Sequence, residues 1–249
     1  MLINLDAKSL EWVTAVFLSG DRIGKQELST GLDIHDRNRL DLQLTDRTTA
    51  KRFLFRTIYC DEAGGGAYAF ANDPEFSHVS QKTSYWQQRI DHFYEKYKDL
   101  AKWHSHLLVR VGETGRLSMP WGREYVFLRT ERKGVKQWPK TQIYNYPVQG
   151  LGAELMAIVR VSLAKRLHAA QLNYSLVATV HDSVLIDAPE ENLAPISKIV
   201  YNVFRDVPKN FERLFGIPFD MELNVEIQAG PTWGSMQLVD KEGNLCVSK

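Results

Sequence analysis

Arg47, Lys51, Phe55 and Tyr59 recur at intervals of four residues. In a helix each step of four advances the chain by about 400°, so these side chains would trace a slowly turning stripe roughly 18 Å long. Two cations open the stripe and two aromatic rings close it. Cations suit the C-terminal end of a helix, so Arg47 and Lys51 in the first turns oppose the helix dipole unless an anion sits beside them. A triphosphate is such an anion, and the N–H groups at the helix start would help to hold it. On spacing alone, a solvated basic face above a buried aromatic seam is the commoner meaning of the pattern. Asp6 and Asp182 are a second pair of interest, because each ends an apolar run with strand character. An aspartate in such a place is more often a turn former or cap than a ligand. If the two runs are neighbouring strands of one sheet, however, the carboxylates come together and destabilise each other's charge unless metal ions neutralise them. Mg²⁺ suits such a pair, since it takes oxygen ligands and shares them with substrate phosphates.

The elements that must position these residues follow from periodicity. Residues 2–5 form a short apolar run, and Leu10, Val13, Val16 and Phe17 recur at helical spacing behind Ser9, which reads as an N-cap. A second helix starts at Thr45-Asp46 and carries Phe53, Leu54 and Ile58 until the glycines at 64–66 stop it. Residues 84–109 read as one long helix with Trp86, Ile90, Phe93, Tyr97 and Leu100 on one side, and residues 112–125 as irregular strands or a hairpin. After Pro147, a core helix over residues 150–170 aligns Leu155, Val159, Leu163 and Leu167. Residues 174–180 and 184–188 are β-branched runs around His181-Asp182-Ser183, a tight hairpin with a polar tip. Residues 193–215 read as a final amphipathic helix, and 221–228 as a half-buried strand alternating through Met221, Leu223, Val225 and Ile227. Strands at both ends around a helical middle predict a sheet-based module interrupted by a mostly helical insertion.

Composition narrows the class. A chain of 249 residues with 44% hydrophobic content can bury one large core or two modest ones, which excludes disorder as the main theme. No stretch approaches the roughly 18 uncharged apolar residues of a membrane span, and the first six residues lack the features of a signal peptide. A soluble, intracellular protein with no membrane partner is expected. Cys60 and Cys246 form no CxxC pair, so reduced thiols are the default and any metal must sit on carboxylates. The 31 basic and 30 acidic residues nearly cancel, so only a local basic patch could favour nucleic acid.

Several segments share one resemblance. Asp6-Ala7-Lys8-Ser9-Leu10-Glu11 resembles the first motif of the family A DNA polymerases, the class of bacterial DNA polymerase I and its phage relatives. Arg47-x3-Lys51-x3-Phe55-x3-Tyr59 resembles the second motif and Val180-His181-Asp182 the third, in the family's order. Asp33-Ile34-His35, Phe93-Tyr94-Glu95-Lys96-Tyr97, Asn145-x-Pro147-x-Gln149-Gly150 and Val225-Glu226 are similar to further family segments. One such motif is a weak signal, whereas the ordered set is a strong one.

The resemblance implies an α+β fold. A polymerase palm, an antiparallel sheet packed on helices, would occupy residues 1–20 and 137–249, with a mostly helical fingers insertion over residues 21–136 and neither thumb nor exonuclease domain. It implies a DNA-directed DNA polymerase that adds deoxynucleotides from their triphosphates to a primer 3′-hydroxyl on primer-template DNA, with two Mg²⁺ ions as cofactor. Asp6, Asp182 and the backbone carbonyl of Ala7 would hold the ions. Arg47, Lys51 and His35 would bind the triphosphate, and Lys51 would also protonate the pyrophosphate. Phe55 would pack on the incoming sugar, Tyr59 against the template base or the adjacent base pair, and Glu11 under the sugar's 2′ position, where a ribose hydroxyl has no room. Asn145, Gln149 and His181 would read the minor-groove edge or the primer terminus. By residue type alone they are a helix cap, a surface amide and a turn residue.

Departures from the family pattern are also present. Ser183 stands where a Glu is usual, Cys60 where a Gly follows the helix Tyr, and Thr141 where Arg is frequent, while Ser9 is offset by one. None of these removes a metal ligand or a triphosphate contact. Family members carry several hundred residues of thumb and upstream palm before the first motif, which here begins at residue 6. The expectation is therefore a cloned fragment, or a polymerase split between two chains with a second polypeptide supplying the thumb. Such a chain would show an exposed palm sheet edge and little activity alone, in a bacterial cytoplasm or a phage-infected host. A single-subunit RNA polymerase would share Asp6, Asp182, Arg47, Lys51, Tyr59 and the His-Asp-Ser pattern, but Glu11 and Phe55 argue for deoxynucleotides. A non-catalytic nucleic-acid-binding remnant is the remaining alternative.

Overall fold

The computed structural model describes residues 1–31, 33–59, 65–132 and 134–246. In chain order the elements are β1 (Leu2–Ala7), α1 (Leu10–Ser19), α2 (Arg22–Ser29), α3 (Ile34–Asp41), α4 (Arg47–Thr57), α5 (Gly65–Ala71), α6 (Thr83–Lys96) and α7 (Lys98–Thr114). The short strands β2 (Arg116–Ser118), β3 (Glu124–Val126), β4 (Thr130–Arg132) and β5 (Val135–Gln137) follow, then α8 (Lys140–Ala169). The chain ends with β6 (Ser175–Val180), β7 (Ser183–Asp187), α9 (Leu193–Arg205), α10 (Val207–Phe215), β8 (Val225–Gly230) and β9 (Gln237–Val239). Two compact units result, one made of Met1–Leu10 with Gly150–Lys249 and the other of Glu11–Gln149.

The first unit is built on a five-stranded sheet in the order β6-β7-β1-β8-β9, with every adjacent pair antiparallel. Side chains alternate across a pleated strand, so one face collects Ile3, Leu5 and Ala7 with Val184, Ile186, Val225, Ile227 and Ala229, all buried. The other face collects Asn4 and Asp6 of β1 with Ser183 of β7 and with Glu226 and Gln228 of β8. Leu155, Val159, Leu163 and Leu167 are fully buried, as their spacing along one helix face predicts. At one edge of the sheet, β6 exposes Val177 and Val180 at 53% and 40%.

The second unit is mostly helical. Phe53, Phe70, Phe76, Trp86 and Phe93 stack and cross at ring distances of 4.9–6.3 Å, and Trp12 joins them through Phe93 and Tyr97. A second apolar cluster, Leu107, Val111, Leu117, Phe127, Ile143 and Tyr144, takes in Tyr59, Trp103 and Trp138 at its margin. The hairpins β2–β3 and β4–β5 lie in this unit, the first running one residue past the range 112–125 read as irregular strands or a hairpin.

Several boundaries differ from the periodicity, each for a local reason. Ser9 has φ 52°, a left-handed turn and not the extended backbone of an N-cap. The second helix ends at Thr57 with Ile58 as C-cap, while Gly65 and Gly66 lie inside α5; Gly64 and Cys60 fall outside the described residues. The stretch 84–109 is two helices broken at Tyr97. The break is stabilised by the buried Asp21 carboxylate, which accepts the N–H groups of Asp99 and Leu100 at the start of α7 (3.1 and 3.2 Å). The core helix begins at Lys140, not after Pro147, and its 30-residue length absorbs the N–H that Pro147 lacks. The stretch 193–215 divides at Asp206 because Pro208 belongs at the first turn of α10 and not inside a helix. Strand β8 starts at Val225, opposite Ala7, the last residue of β1; one further backbone bond, from the Lys8 N–H to the Asn224 carbonyl (2.9 Å), follows the ladder, and Met221 and Leu223 are buried outside it.

Candidate active site

Each unit holds its own group of site residues. In the first, Asp6 sits near the end of β1, the central strand, directly opposite Ser183 of β7 on one side and Glu226 of β8 on the other. Asp182 lies in the two-residue turn between β6 and β7, and its backbone carbonyl accepts the N–H of Ala7 at 2.9 Å. One backbone hydrogen bond thus ties the turn of one acidic residue to the strand of the other. His181 completes the turn with φ 54°, a left-handed backbone that a non-glycine residue adopts infrequently. The Ser183 hydroxyl donates to the Val180 carbonyl at 3.0 Å and is 8% exposed, so this residue braces the hairpin. Glu226 was given no role from the sequence. Lys8 Nζ stands 3.7 Å from it, and Gln228 Nε2 donates to its Oε1 at 3.1 Å. Among the described residues no three His, Cys, Asp or Glu side chains cluster closely enough to form a metal site by themselves. Asp6 and Asp182, with Glu226 opposite Asp6 and nearby backbone carbonyls, offer oxygen donors of the kind a hard divalent cation takes.

In the second unit, α4 carries the stripe. Asp46 caps its start, accepting the Thr49 N–H at 2.8 Å and the Thr49 hydroxyl at 2.7 Å, and these bonds pull its carboxyl down to about 2. Ala50, Phe53, Leu54 and Thr57 face inward, leaving Arg47 and Lys51 exposed and Phe55 and Tyr59 half-buried. Tyr59 lies just beyond the helix end. The anion that the two N-terminal cations call for is present in part within the chain itself. Arg47 donates from Nε (2.9 Å) and Nη2 (2.6 Å) to Oδ2 of Asp33, whereas Lys51 has no acidic partner among the described residues and stands 5.9 Å from the Phe55 ring centroid. His35, buried in the first turn of α3, packs its ring 5.6 Å from Phe55, and its Nδ1 finds no hydrogen-bond partner. Burial pushes His35 down to about 4, and Arg47 and Lys51 add to this against the opposing pull of Asp33. At neutral pH it is an uncharged imidazole. It can offer a phosphate one hydrogen bond but, in the free protein, no positive charge.

Glu11, Tyr59, Asn145 and Gln149 converge elsewhere in the same unit. The Tyr59 hydroxyl donates to Glu11 Oε1 at 3.0 Å, and Gln149 Nε2 donates to both the Glu11 carboxylate and the Tyr59 hydroxyl, the latter at 3.1 Å. Asn145 also hydrogen-bonds to Tyr59. Burial, then the Glu11 charge, raises the Tyr59 phenol far above its ordinary value, so it stays a donor. No local pattern signals that Gln149 reaches Glu11, because the two are 138 positions apart.

A family model for DNA polymerase family A matches residues 1–235. The chain belongs to DNA polymerase family A. Its family A relatives include DNA polymerase I of Chloroflexus aurantiacus, 24% identical over 94% of this chain and 24% of the relative. Thermostable DNA polymerase I of Thermus filiformis is 26% identical and that of Thermus aquaticus 24%, each over 94% of this chain and 27% of the relative. The chain thus spans about a quarter of the length of the curated relatives it matches. Among solved structures, the POL domain of Pol1 from M. smegmatis, in complex with DNA primer-template and dNTP, superposes with a TM-score of 0.74. It shares 16% identity and covers 93% of this chain and 40% of that one, a likeness of fold. The α+β architecture implied by the motifs is the one found. No helix among the described residues is long and apolar enough to cross a membrane.

Proposed function

We propose that this chain is the palm-and-fingers part of a DNA-directed DNA polymerase, which adds deoxynucleotides to a primer 3′-hydroxyl on primer-template DNA. The observation that carries the reading is the Ala7 to Asp182 backbone hydrogen bond, which sets the Asp182 turn beside the strand bearing Asp6. Asp6, Asp182 and the Ala7 carbonyl are oxygen donors that fit Mg²⁺. Two Mg²⁺ ions bound there would supply activation of the primer hydroxyl and neutralisation of charge on the leaving pyrophosphate.

The chain's own side chains account for the rest. Arg47 and Lys51 hold the triphosphate, His35 offers it a neutral N–H, and Lys51 can pass a proton to the pyrophosphate. Phe55 supports the sugar and Tyr59 the templating base or its neighbour. Glu11, fixed by Tyr59 and Gln149, closes the space a 2′-hydroxyl would need. Asn145, Gln149 and His181 contact DNA. We assign residues 1–20 and 137–249 to the palm and 21–136 to the fingers; the compact units divide at 10/11 and 149/150.

Primer extension by the purified chain with Mg²⁺, alone and with any copurifying polypeptide, tests the proposal. Extension with deoxynucleotides that disappears in Asp182→Asn is the expected result. Extension that survives in Asp182→Asn, or that prefers ribonucleotides, would overturn it.

A further inference from the structure

Asp33 uses both of its carboxylate oxygens. Oδ1 accepts the backbone N–H groups of His35 (2.8 Å) and Asp36 (3.2 Å), which makes Asp33 the N-cap of α3. Oδ2 accepts both Nε and Nη2 of Arg47. That is the side-on edge of the guanidinium. The end-on edge, formed by Nη1 and the remaining proton of Nη2, is left as a fork for a phosphate. One carboxylate therefore meets the first turn of α3, which carries His35, and the first residue of α4, which carries Lys51 one turn further on. Burial works to raise the Asp33 carboxyl, but the Arg47 hydrogen bonds, the N–H donors of Asp36 and His35 and the Arg47 charge together hold it below its usual range. It is anionic wherever a triphosphate would be bound.

We propose that Asp33 is a positioning residue for nucleotide binding, which turns the end-on edge of Arg47 toward the triphosphate while anchoring the helix start that carries His35. The inference rests on the reading of α4 as the triphosphate helix. A long arginine side chain loses rotamer freedom when it binds a phosphate, and a partner that has already fixed it removes part of that loss. The pair is half-exposed, with side chains 50% and 40% accessible, so its influence on affinity is modest.

The test is binding of deoxythymidine triphosphate with Mg²⁺ to the full chain, measured by equilibrium dialysis for the wild type, Arg47→Ala, Asp33→Asn, Asp33→Ala and Arg47→Ala/Asp33→Asn. Asparagine caps a helix as well as aspartate does, so Asp33→Asn should keep the thermal midpoint while losing the charged grip on Arg47. Its affinity is expected to fall about twofold to fivefold, in line with a half-exposed charge pair. Asp33→Ala, which also loses the cap, should bind more weakly still, and the double variant no more weakly than Arg47→Ala, because Asp33 acts through Arg47. If Arg47→Ala weakens binding while Asp33→Asn leaves it unchanged or tightens it, Asp33 merely competes for Arg47 and the positioning role is refuted. Additive losses in the double variant refute it as well. If the wild type does not bind the triphosphate, or Arg47→Ala binds as well as the wild type, the triphosphate reading itself falls and the proposal falls with it.

Discussion

His104 provides a quantitative test of the packing that holds the Glu11, Tyr59 and Gln149 group. It lies on the inner side of α7, 5% exposed, with its ring stacked on Tyr144 at 4.1 Å and 19°. Its Nδ1 faces the Tyr94 hydroxyl at 3.4 Å and its Nε2 has no hydrogen-bond partner. Tyr144 adjoins Asn145 in the N-terminal part of α8, so this stack underlies the segment from which Gln149 reaches Glu11. Burial pushes His104 down to about 3, outweighing the nearby Ile58 carbonyl. An unfolded histidine titrates near 6.5, so below that pH the unfolded chain binds a proton that the folded ring refuses. Stability is therefore lost as pH falls through 6.5, and the loss levels off only near the folded value of about 3. Between pH 7.5 and 5.0 the unfolded imidazole becomes almost fully protonated, which costs the fold about 2 kcal/mol at 1.36 kcal/mol per pH unit. His104→Phe keeps a ring against Tyr144 and removes the titration, while the Tyr94 hydroxyl still donates to the Thr57 carbonyl at 2.7 Å. Urea unfolding of both proteins at the two pH values, followed by tryptophan fluorescence, should show a pH-dependent loss smaller by about 2 kcal/mol in the variant. His35, with its own depressed value, remains in both proteins and cancels in the difference. Equal pH sensitivity of the two proteins would show that His104 does not titrate as its burial requires.

Three further outcomes follow from the same geometry. Phe55→Tyr supplies a phenol in place of the missing 3′-hydroxyl and should raise dideoxynucleotide incorporation relative to deoxynucleotide by about tenfold, roughly the worth of one hydrogen bond; unchanged discrimination in a competition assay would refute the placement of Phe55. Glu11→Ala removes the group held by Tyr59 and Gln149, and the ratio of ribonucleotide to deoxynucleotide kcat/KM should rise by roughly tenfold or more. Lys96 is 14% exposed and joins Glu27 (2.7 Å) and Asp41 (2.6 Å), so Lys96→Met leaves two carboxylates with the half-exposed Arg37 and, for Glu27, the Tyr97 hydroxyl (2.6 Å), and should cost about 3 kcal/mol of stability by chemical denaturation.

How much of this was legible in the sequence depends on whether the signal was local. The α8 stripe and the amphipathic face of α4 are readable because one face of each is buried and the period shows it, whereas the β6–β7 hairpin is readable from its β-branched runs around a polar turn. The short helices α2 and α3 leave no periodic signal because they bury few apolar residues. Their signal was the capping aspartates Asp21 and Asp33, which sit immediately before them. The break at Tyr97 was invisible because it depends on Asp21, far away in sequence, reaching the new helix start. The helix start at Lys140 is hidden because Pro147 reads as a boundary, although a long helix can absorb one missing donor. In the site, Asp6 and Asp182 were found as motif residues and their neighbourhood followed from strand pairing. The partners of Arg47 and Glu11, namely Asp33 and Gln149, came only from tertiary geometry. The neutrality of the His35 ring is likewise a matter of burial, which spacing does not report.

The bond from Ala7 N–H to the Asp182 carbonyl is made entirely by the backbone. No substitution other than proline at position 7 removes its donor. What seats the two acidic residues is therefore separate from what their side chains do. A population of variants could exchange the carboxylates for other groups and still present the same corner of the sheet, correctly shaped and chemically silent. Inheritance acting on this corner can rewrite its reactivity without first having to rebuild its architecture.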